Sequence, residues 1–183
     1  GENIQQNLAR MIAEAENDEN IEIHLNVEIK DVEGFVGNFT TTIEVDGSKK
    51  ELTHGVAIIA SGASELKPDR YLYGQDPRVL TGLELDRKLI ENDPAIKSKK
   101  SAVFIQCVGS RIPERPYCSK VCCTHSLKNA LKLKETNPDM DVFILYRDMR
   151  AYGLREDLYR KARSEGIHVL RYDFDKDLTV TAD

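Results

Sequence analysis

Apolar positions along the chain follow two rhythms that alternate from segment to segment. Leu8, Ile12 and Ala15, with Met11 beside them, fall at helical spacing and predict an amphipathic helix over residues 1–17. Ile21, Ile23, Leu25, Val27 and Ile29 then occupy every odd position from Asn20 to Lys30, the period of a strand. Gly34, Gly37 and Asn38 punctuate that run, and Phe39 to Val45, with three consecutive threonines, reads as a second strand. Asp46-Gly47 supplies a hairpin turn into a returning strand at Lys49 to Leu52, so residues 27–53 are expected to form a small antiparallel unit. Val56-Ala57-Ile58-Ile59-Ala60 is short and continuously apolar, the mark of a strand buried on both faces. Small residues follow it, Ser61-Gly62-Ala63-Ser64, which allow close approach of a backbone or ligand and equally suit a tight turn.

Beyond an irregular linker at Pro68 to Pro77, Thr81 and Glu84 form the capping box of a helix from Gly82 to Ile90, ended by Asn92-Asp93-Pro94. Lys97, Lys99 and Lys100 read as a solvated approach to the next strand. From there the order is strand (Ser101 to Gln106), helix (Thr124 to Thr136), strand (Val142 to Tyr146), helix (154–165) and strand (Ile167 to Tyr172). Leu127, Ala130, Leu131 and Leu133 line the first helix, Leu154, Leu158 and Ala162 stripe the second, and Gly166 takes its C′ position. Helices alternating with apolar strands predict an α/β fold with a parallel βαβ sheet of doubly wound type beside the small antiparallel β unit.

Composition changes this picture little. Apolar residues make up 40% and charged residues 31%, and 31 acids against 26 bases leave a net charge of -5. No basic field favours nucleic acid or an anionic membrane, and the apolar run at Val56 to Ala60 is far too short to span a bilayer. The expectation is a cytoplasmic protein with no transmembrane segment, since the clustered free thiols suit a reducing compartment.

Those thiols are the chemistry of the sequence. All four cysteines, Cys107, Cys118, Cys122 and Cys123, lie between the strand at Ser101 and the helix at Thr124. In a dinucleotide-binding unit that place holds Gly-x-Gly-x-x-Gly, but here it reads Cys107-Val108-Gly109-Ser110-Arg111 and keeps only Gly109. Crowded soft sulfurs suit an iron-sulfur cluster, zinc or thiol redox chemistry. Cys118 and Cys122 qualify as a zinc pair, but the adjacent Cys122 and Cys123 are awkward for it; His125 could replace one of them, although a lone histidine after a cysteine pair is more often a surface or capping residue. Disulfide exchange lacks its Cys-x-x-Cys. Arg111, Arg115, Lys120 and a helix N-terminus nearby in sequence favour thiolates and the negative charge of a ligated cluster.

The run Phe104-Ile105-Gln106-Cys107-Val108-Gly109-Ser110-Arg111, followed by Tyr117-Cys118-Ser119-Lys120-Val121-Cys122-Cys123, resembles the A-subunit of heterodisulfide reductase and its relatives. Gly34 to Phe39, Tyr73 to Val79 and Asp148 to Gly153 extend the resemblance over nearly the whole chain. It implies a partial FAD/NAD(P)-binding, thioredoxin-reductase-like fold in a flavin and iron-sulfur oxidoreductase. Such a protein passes electrons between FAD, clusters and partner subunits, in methanogens toward the disulfide of coenzymes M and B. Carried over by motif, Cys107, Cys118, Cys122 and Cys123 are the implied ligands of one [4Fe-4S] cluster, and Ala60-Ser61-Gly62 corresponds to the family's Ala-Thr-Gly turn at the flavin.

On that reading residues 1–80 belong to the FAD-binding domain and residues 81–183 to an incomplete Rossmann-like domain carrying the cysteines. The family's flavin fingerprint and ferredoxin-type repeats do not occur in this sequence, so the chain is expected to be an internal piece, with Gly1 a tag remnant and FAD held only by the full-length protein. No residue is assigned a catalytic role. The expected partners are other oxidoreductase subunits and redox proteins. The alternative is a structural zinc-binding or subunit-docking module without redox activity, and the third option is a plain dinucleotide-binding domain.

Overall fold

A computed structural model of the chain describes residues 3–173, 176 and 178–182. The chain forms two compact units, residues 1–62 and 63–183. The first opens with α1 (Ile4–Asn17), whose N-terminus is capped by Asn3 Oδ1 accepting from the amides of Gln5 at 3.0 Å and Gln6 at 3.4 Å. Gly1 and Glu2, included in the helix expected from the sequence, lie outside the described residues.

A three-stranded antiparallel sheet follows, with β1 (Glu28–Phe35), β2 (Asn38–Val45) and β3 (Ser48–His54) in spatial order 1-2-3. The Asp46-Gly47 turn adopts φ values of 50° and 79°, the two left-handed residues that a tight hairpin matched to strand twist requires. Gly34 is obligatory in β1: its φ is +103°, and a Cβ there would stand 2.1 Å from the Asn38 carbonyl oxygen. The strand expected from Asn20 begins only at Glu28. Asn26 turns left-handed at φ 56° and breaks the extended run, and the ladder with β2 ends at Glu28 opposite Glu44, so Ile21, Ile23 and Leu25 stay unpaired and exposed.

Val56 to Ala60 forms no strand, against the expectation from its apolar run. None of the described strands pairs with it, and Ile58 and Ile59 are 89% and 90% exposed. Buried strands read as continuous apolar runs, but such a run becomes a strand only where a neighbour satisfies its amides and carbonyls.

The second unit holds the parallel sheet, β4 (Ser101–Ile105), β5 (Asp141–Tyr146) and β6 (His168–Arg171), in order 4-5-6. The α4 helix (Cys122–Thr136) connects β4 to β5, and α5 (Glu156–Ser164) connects β5 to β6. The order among these described strands never reverses, so the strand-order switch of a doubly wound sheet is not among them. The central strand carries Val142 and Ile144, both fully buried, against Leu127, Ala130 and Leu133 of α4, Ala162 of α5, and Met140 and Ile167. Burial of side chains of this size contributes about 1.5–3 kcal/mol each.

Several boundaries differ from the periodicity reading, the strands of this sheet by one residue at one or both ends. The α4 helix starts at Cys122, two residues early. Pro94 ends nothing but opens the short α3 (Pro94–Lys97) at a first-turn position where its missing amide costs no hydrogen bond. Leu154 belongs to a 3-10 turn before α5 and is 94% exposed, leaving Leu158 and Ala162 as the apolar side. Gly166 takes the left-handed position just past that helix, as its place after the last apolar residue predicts.

The α2 helix (Gly82–Ile90) carries the expected capping box: the Glu84 amide donates to Thr81 Oγ1 and the Thr81 amide donates to Glu84 Oε2. Lys67 and the Tyr73 hydroxyl donate to the same carboxylate. The Thr81 amide first, and then Lys67, hold Glu84 at a pKa of about 2, below its ordinary 4.5.

Two outcomes follow from this packing. Leu127→Ala should destabilise the second unit by about 2–5 kcal/mol in urea titration, because it removes a fully buried side chain and leaves a cavity; a loss under about 1 kcal/mol would contradict the core assignment. Because the folded pKa of Glu84 is depressed, its contribution is complete above pH 4.5 and lost as pH falls through about 2. The stability gap between wild type and Glu84→Gln, measured by thermal melting, should therefore close across that window as pH falls.

Candidate functional site

The carboxyl ends of parallel strands are where α/β sheets place their chemistry, because the connecting loops converge there. Three such ends meet in the second unit. β4 runs out at Ile105 into the cysteine loop, β5 at Tyr146 into the loop from Arg147, and β6 at Arg171 into Tyr172.

Gln106 anchors the entrance to the cysteine loop. Its amide donates to the Leu145 carbonyl at 2.9 Å, its side chain donates to Ser126 Oγ on α4, and its carbonyl accepts from the Tyr172 hydroxyl at 2.7 Å. Burial first, and then a Cys107 thiolate, push the Tyr172 phenol up to about 12, so that hydroxyl remains a donor throughout the neutral range. A buried amide with three separate partners fixes the direction in which the chain leaves the sheet.

From there the backbone is contorted. Cys107, Arg111 and Lys120 have φ values of 64°, 58° and 60°, each costing roughly 1–2 kcal/mol for a residue with a Cβ. Gly109, at φ +68°, takes the same left-handed backbone without that strain, and a Cβ there would displace the end of the Leu66 side chain, 2.3 Å away at Cδ2. Cross-links offset the strain. Ser110 Oγ donates to the Tyr117 carbonyl at 2.9 Å, Ile112 and Arg115 exchange backbone hydrogen bonds, and Arg115 Nη1 donates to the Gly109 carbonyl at 3.0 Å.

The four sulfurs have different surroundings. Cys107 Sγ accepts from Arg111 Nη1 at 3.9 Å, and Cys118 Sγ accepts from the Lys120 amide at 3.3 Å. Cys122 is exposed, 2.9 Å from Ser119 Oγ, whereas the next residue, Cys123, is buried and donates to the Asp148 carbonyl at 3.8 Å. Burial pushes the Cys123 thiol up, the Arg150 backbone amide pulls it down, and thiolates at Cys107, Cys122 and Cys118 each push it further up, which places all three within electrostatic reach.

Among the described residues, no group of three or more His, Cys, Asp or Glu side chains is arranged to hold a metal ion. Cys122 and Cys123 are consecutive on the first turn of α4, about 100° apart around its axis, and their sulfurs have different neighbours. The donor set nevertheless fits a soft metal or an iron-sulfur group. Two thiols lie in the loop and two on the first turn of α4, and the α4 N-terminus carries no side-chain cap and no acid in its first turn, leaving amides that favour negative charge. Beside Cys123, the buried Thr124 Oγ1 has no hydrogen-bond partner.

Of the bases near in sequence, Arg111 reaches a sulfur with its charge; Lys120 offers its backbone amide and Arg115 a bond to a carbonyl. His125 points elsewhere, with Nε2 2.7 Å from Asp86 Oδ2 of α2 and its ring against Gly82, which ties α2 to α4. Ser61 and Gly62 lie at the end of the first unit, both exposed, with Gly62 left-handed at φ +66°. Asp148 and Arg150, brought to the thiols by the β5 loop, escaped the reading of residues as chemistry, although they lie in a stretch that carried the family resemblance. Gln106 and Tyr172 likewise look like ordinary strand residues until the sheet brings them together.

No family model matches the chain. Curated relatives do. The A-subunit of the H2:CoB-CoM heterodisulfide, ferredoxin reductase of Methanothermobacter thermautotrophicus is 38% identical over 66% of this chain and 21% of its own length. The A-subunit of the H2/formate:CoB-CoM heterodisulfide, ferredoxin reductase of Methanococcus maripaludis is 38% identical over 64% of this chain and 20% of its own length. One of two iron-sulfur A-subunits of the CoB-CoM heterodisulfide reductase of Methanopyrus kandleri is 35% identical over 70% of this chain and 22% of its own length. The chain thus spans about a fifth of the length of the curated relatives it matches. Among the described residues no helix is long and apolar enough to cross a membrane.

Thiol reactivity in reduced, metal-free protein checks the local geometry. Exposed Cys122 should alkylate first and buried Cys123 last, as followed by peptide mass spectrometry at mildly alkaline pH; Cys123 labelling ahead of Cys122 would contradict the orientation of the α4 first turn.

Proposed function

We propose that this chain, whose matched residues belong to the A-subunit family of heterodisulfide reductases, is an electron-transfer segment of a flavin and iron-sulfur oxidoreductase. Cys107, Cys118, Cys122 and Cys123 are the ligands of one [4Fe-4S] cluster in this reading. What supports it is that all four thiols lie between the carboxyl end of β4 and the first turn of α4, next to a helix N-terminus with no side-chain cap. The name of the Methanopyrus relative, an iron-sulfur protein, supports the same chemistry.

When bound, the cluster supplies a one-electron station. The protein's own residues do the rest. Gln106 fixes the exit of β4, Gly109 lets the loop turn tightly, and the backbone amides of Lys120 and Arg150 donate to the sulfurs of Cys118 and Cys123. Joint ligation would require Cys122 and Cys123 to turn to a common side with Cys107 and Cys118. Outer-sphere transfer calls for position and potential and for no general acid or base, so no side chain is given a catalytic role.

Residues 1–80 are assigned to the FAD-binding domain of the parent protein, with Ser61 and Gly62 at its flavin turn, and residues 81–183 to the Rossmann-like domain that carries the cysteines. FAD, other oxidoreductase subunits, small redox proteins and a cytoplasmic setting belong to that parent. Whether a heterodisulfide is its substrate follows from the whole protein.

Anaerobic reconstitution with iron and sulfide is the test. The chain should take up about one four-iron cluster with broad visible absorption, and Cys118→Ser should abolish it. Colourless protein with stoichiometric zinc would replace this reading by that of a structural zinc-binding or docking module.

A further inference from the structure

We propose that Arg111 is the positioning residue of the thiol site: it fixes Cys107 and supplies the positive charge that raises the reduction potential of the group the cysteines hold, with Asp148 setting its aim. The inference rests on the electron-transfer reading above and deepens it by naming the residue that regulates the site.

One arginine engages three partners at once. Its Nη1 stands 3.9 Å from Cys107 Sγ and its Nη2 2.5 Å from Asp148 Oδ2, while the Arg111 carbonyl accepts from Arg147 Nη1 at 2.8 Å. The planar fork of the guanidinium makes this arrangement directional, because a carboxylate on one nitrogen settles where the other nitrogen points. Two of these ties run to the β5 loop, and they hold Arg111 in its left-handed backbone, φ 58°. That same loop contacts the last cysteine, through the Asp148 carbonyl and the Arg150 amide. The Arg111 and Asp148 pair therefore joins the environment of the first ligand to that of the last.

Charge decides the sign. Adding an electron makes the thiol site more negative, so a fixed cation against it favours the reduced form. Arg111's side chain is only 17% exposed, which limits screening by water and salt. The Asp148 carboxylate is 47% exposed, so its opposing charge is the better screened of the two. Arg171 Nη2, 3.9 Å from Asp148 Oδ1, offsets it further.

The experiment compares wild type, R111K, R111Q and D148N after anaerobic reconstitution with iron and sulfide. Iron content and the midpoint potential from a spectroscopic redox titration are recorded for each. R111Q should load iron yet show about a tenfold lower ratio of reduced to oxidised cluster at a fixed solution potential, about 59 mV for a one-electron couple. R111K keeps the charge but loses the planar fork and should fall between wild type and R111Q; D148N releases the guanidinium from its aim and should lower the ratio too, by less than R111Q because an opposing charge leaves with it. A loaded R111Q with the wild-type potential overturns the inference and leaves the electron-transfer reading standing. If R111Q does not fold, R111M, which keeps the aliphatic stem and removes the charge, decides, and an unchanged potential in it overturns the inference. A wild-type chain that takes up no iron overturns both.

Discussion

Everything in the second unit depends on the parallel pairing of β5 with β4 on one side and β6 on the other. A parallel ladder needs a crossover for each pair of strands, and the crossover helices bury one face of the central strand. α4 and α5 provide the crossovers, and Val142 and Ile144 of β5 are completely buried as a result. The same pairing sends all three strand ends to one edge. The cysteine loop, the Arg147 to Arg150 loop and Tyr172 are neighbours because the ladder aligns Ile105 with Leu145, and Tyr146 with Arg171.

That edge combines a rigid entrance with strained turns. Gln106 is held by a helix side chain, a strand carbonyl and a phenol from three different elements. Immediately beyond it the chain enters left-handed backbone at Cys107 and again at Gly109 and Arg111. Strain of this kind persists only where the surroundings over-determine the conformation. Here the surroundings are the carboxylate of Asp148 and the guanidinium groups of Arg147 and Arg115. The consequence is a loop whose thiols sit among donors, next to helix amides with no acid in the first turn to compete for them.

The first unit follows a different rule. Its sheet is a simple meander whose register is set by Asp46-Gly47 and by the backbone constraint at Gly34. Ile43 is its buried apolar residue, while β1 is exposed throughout. Thr41 Oγ1 lies 2.7 Å from His54 Nε2, and Phe39 stacks on the same imidazole, so side-chain pairs between β2 and β3 supplement a small core.

The sequence by itself determined the elements whose causes are local. Thr81 and Glu84 announce a capping box, Asp46-Gly47 a hairpin, Gly166 a helix stop, and Leu127 to Leu133 the buried side of α4. The crowding of four thiols between a strand and a helix, and their kinship with a family of iron-sulfur proteins, were likewise legible before any fold was known. Tertiary structure decided what depends on a partner remote in sequence. Val56 to Ala60 has the composition of a buried strand yet finds no ladder among the described strands. Asp148 and Tyr172 reach the cysteine loop across separations of 37 and 66 residues. Local sequence encodes propensity over a few residues, whereas the charge beside a sulfur depends on which loops a parallel sheet brings to the same edge.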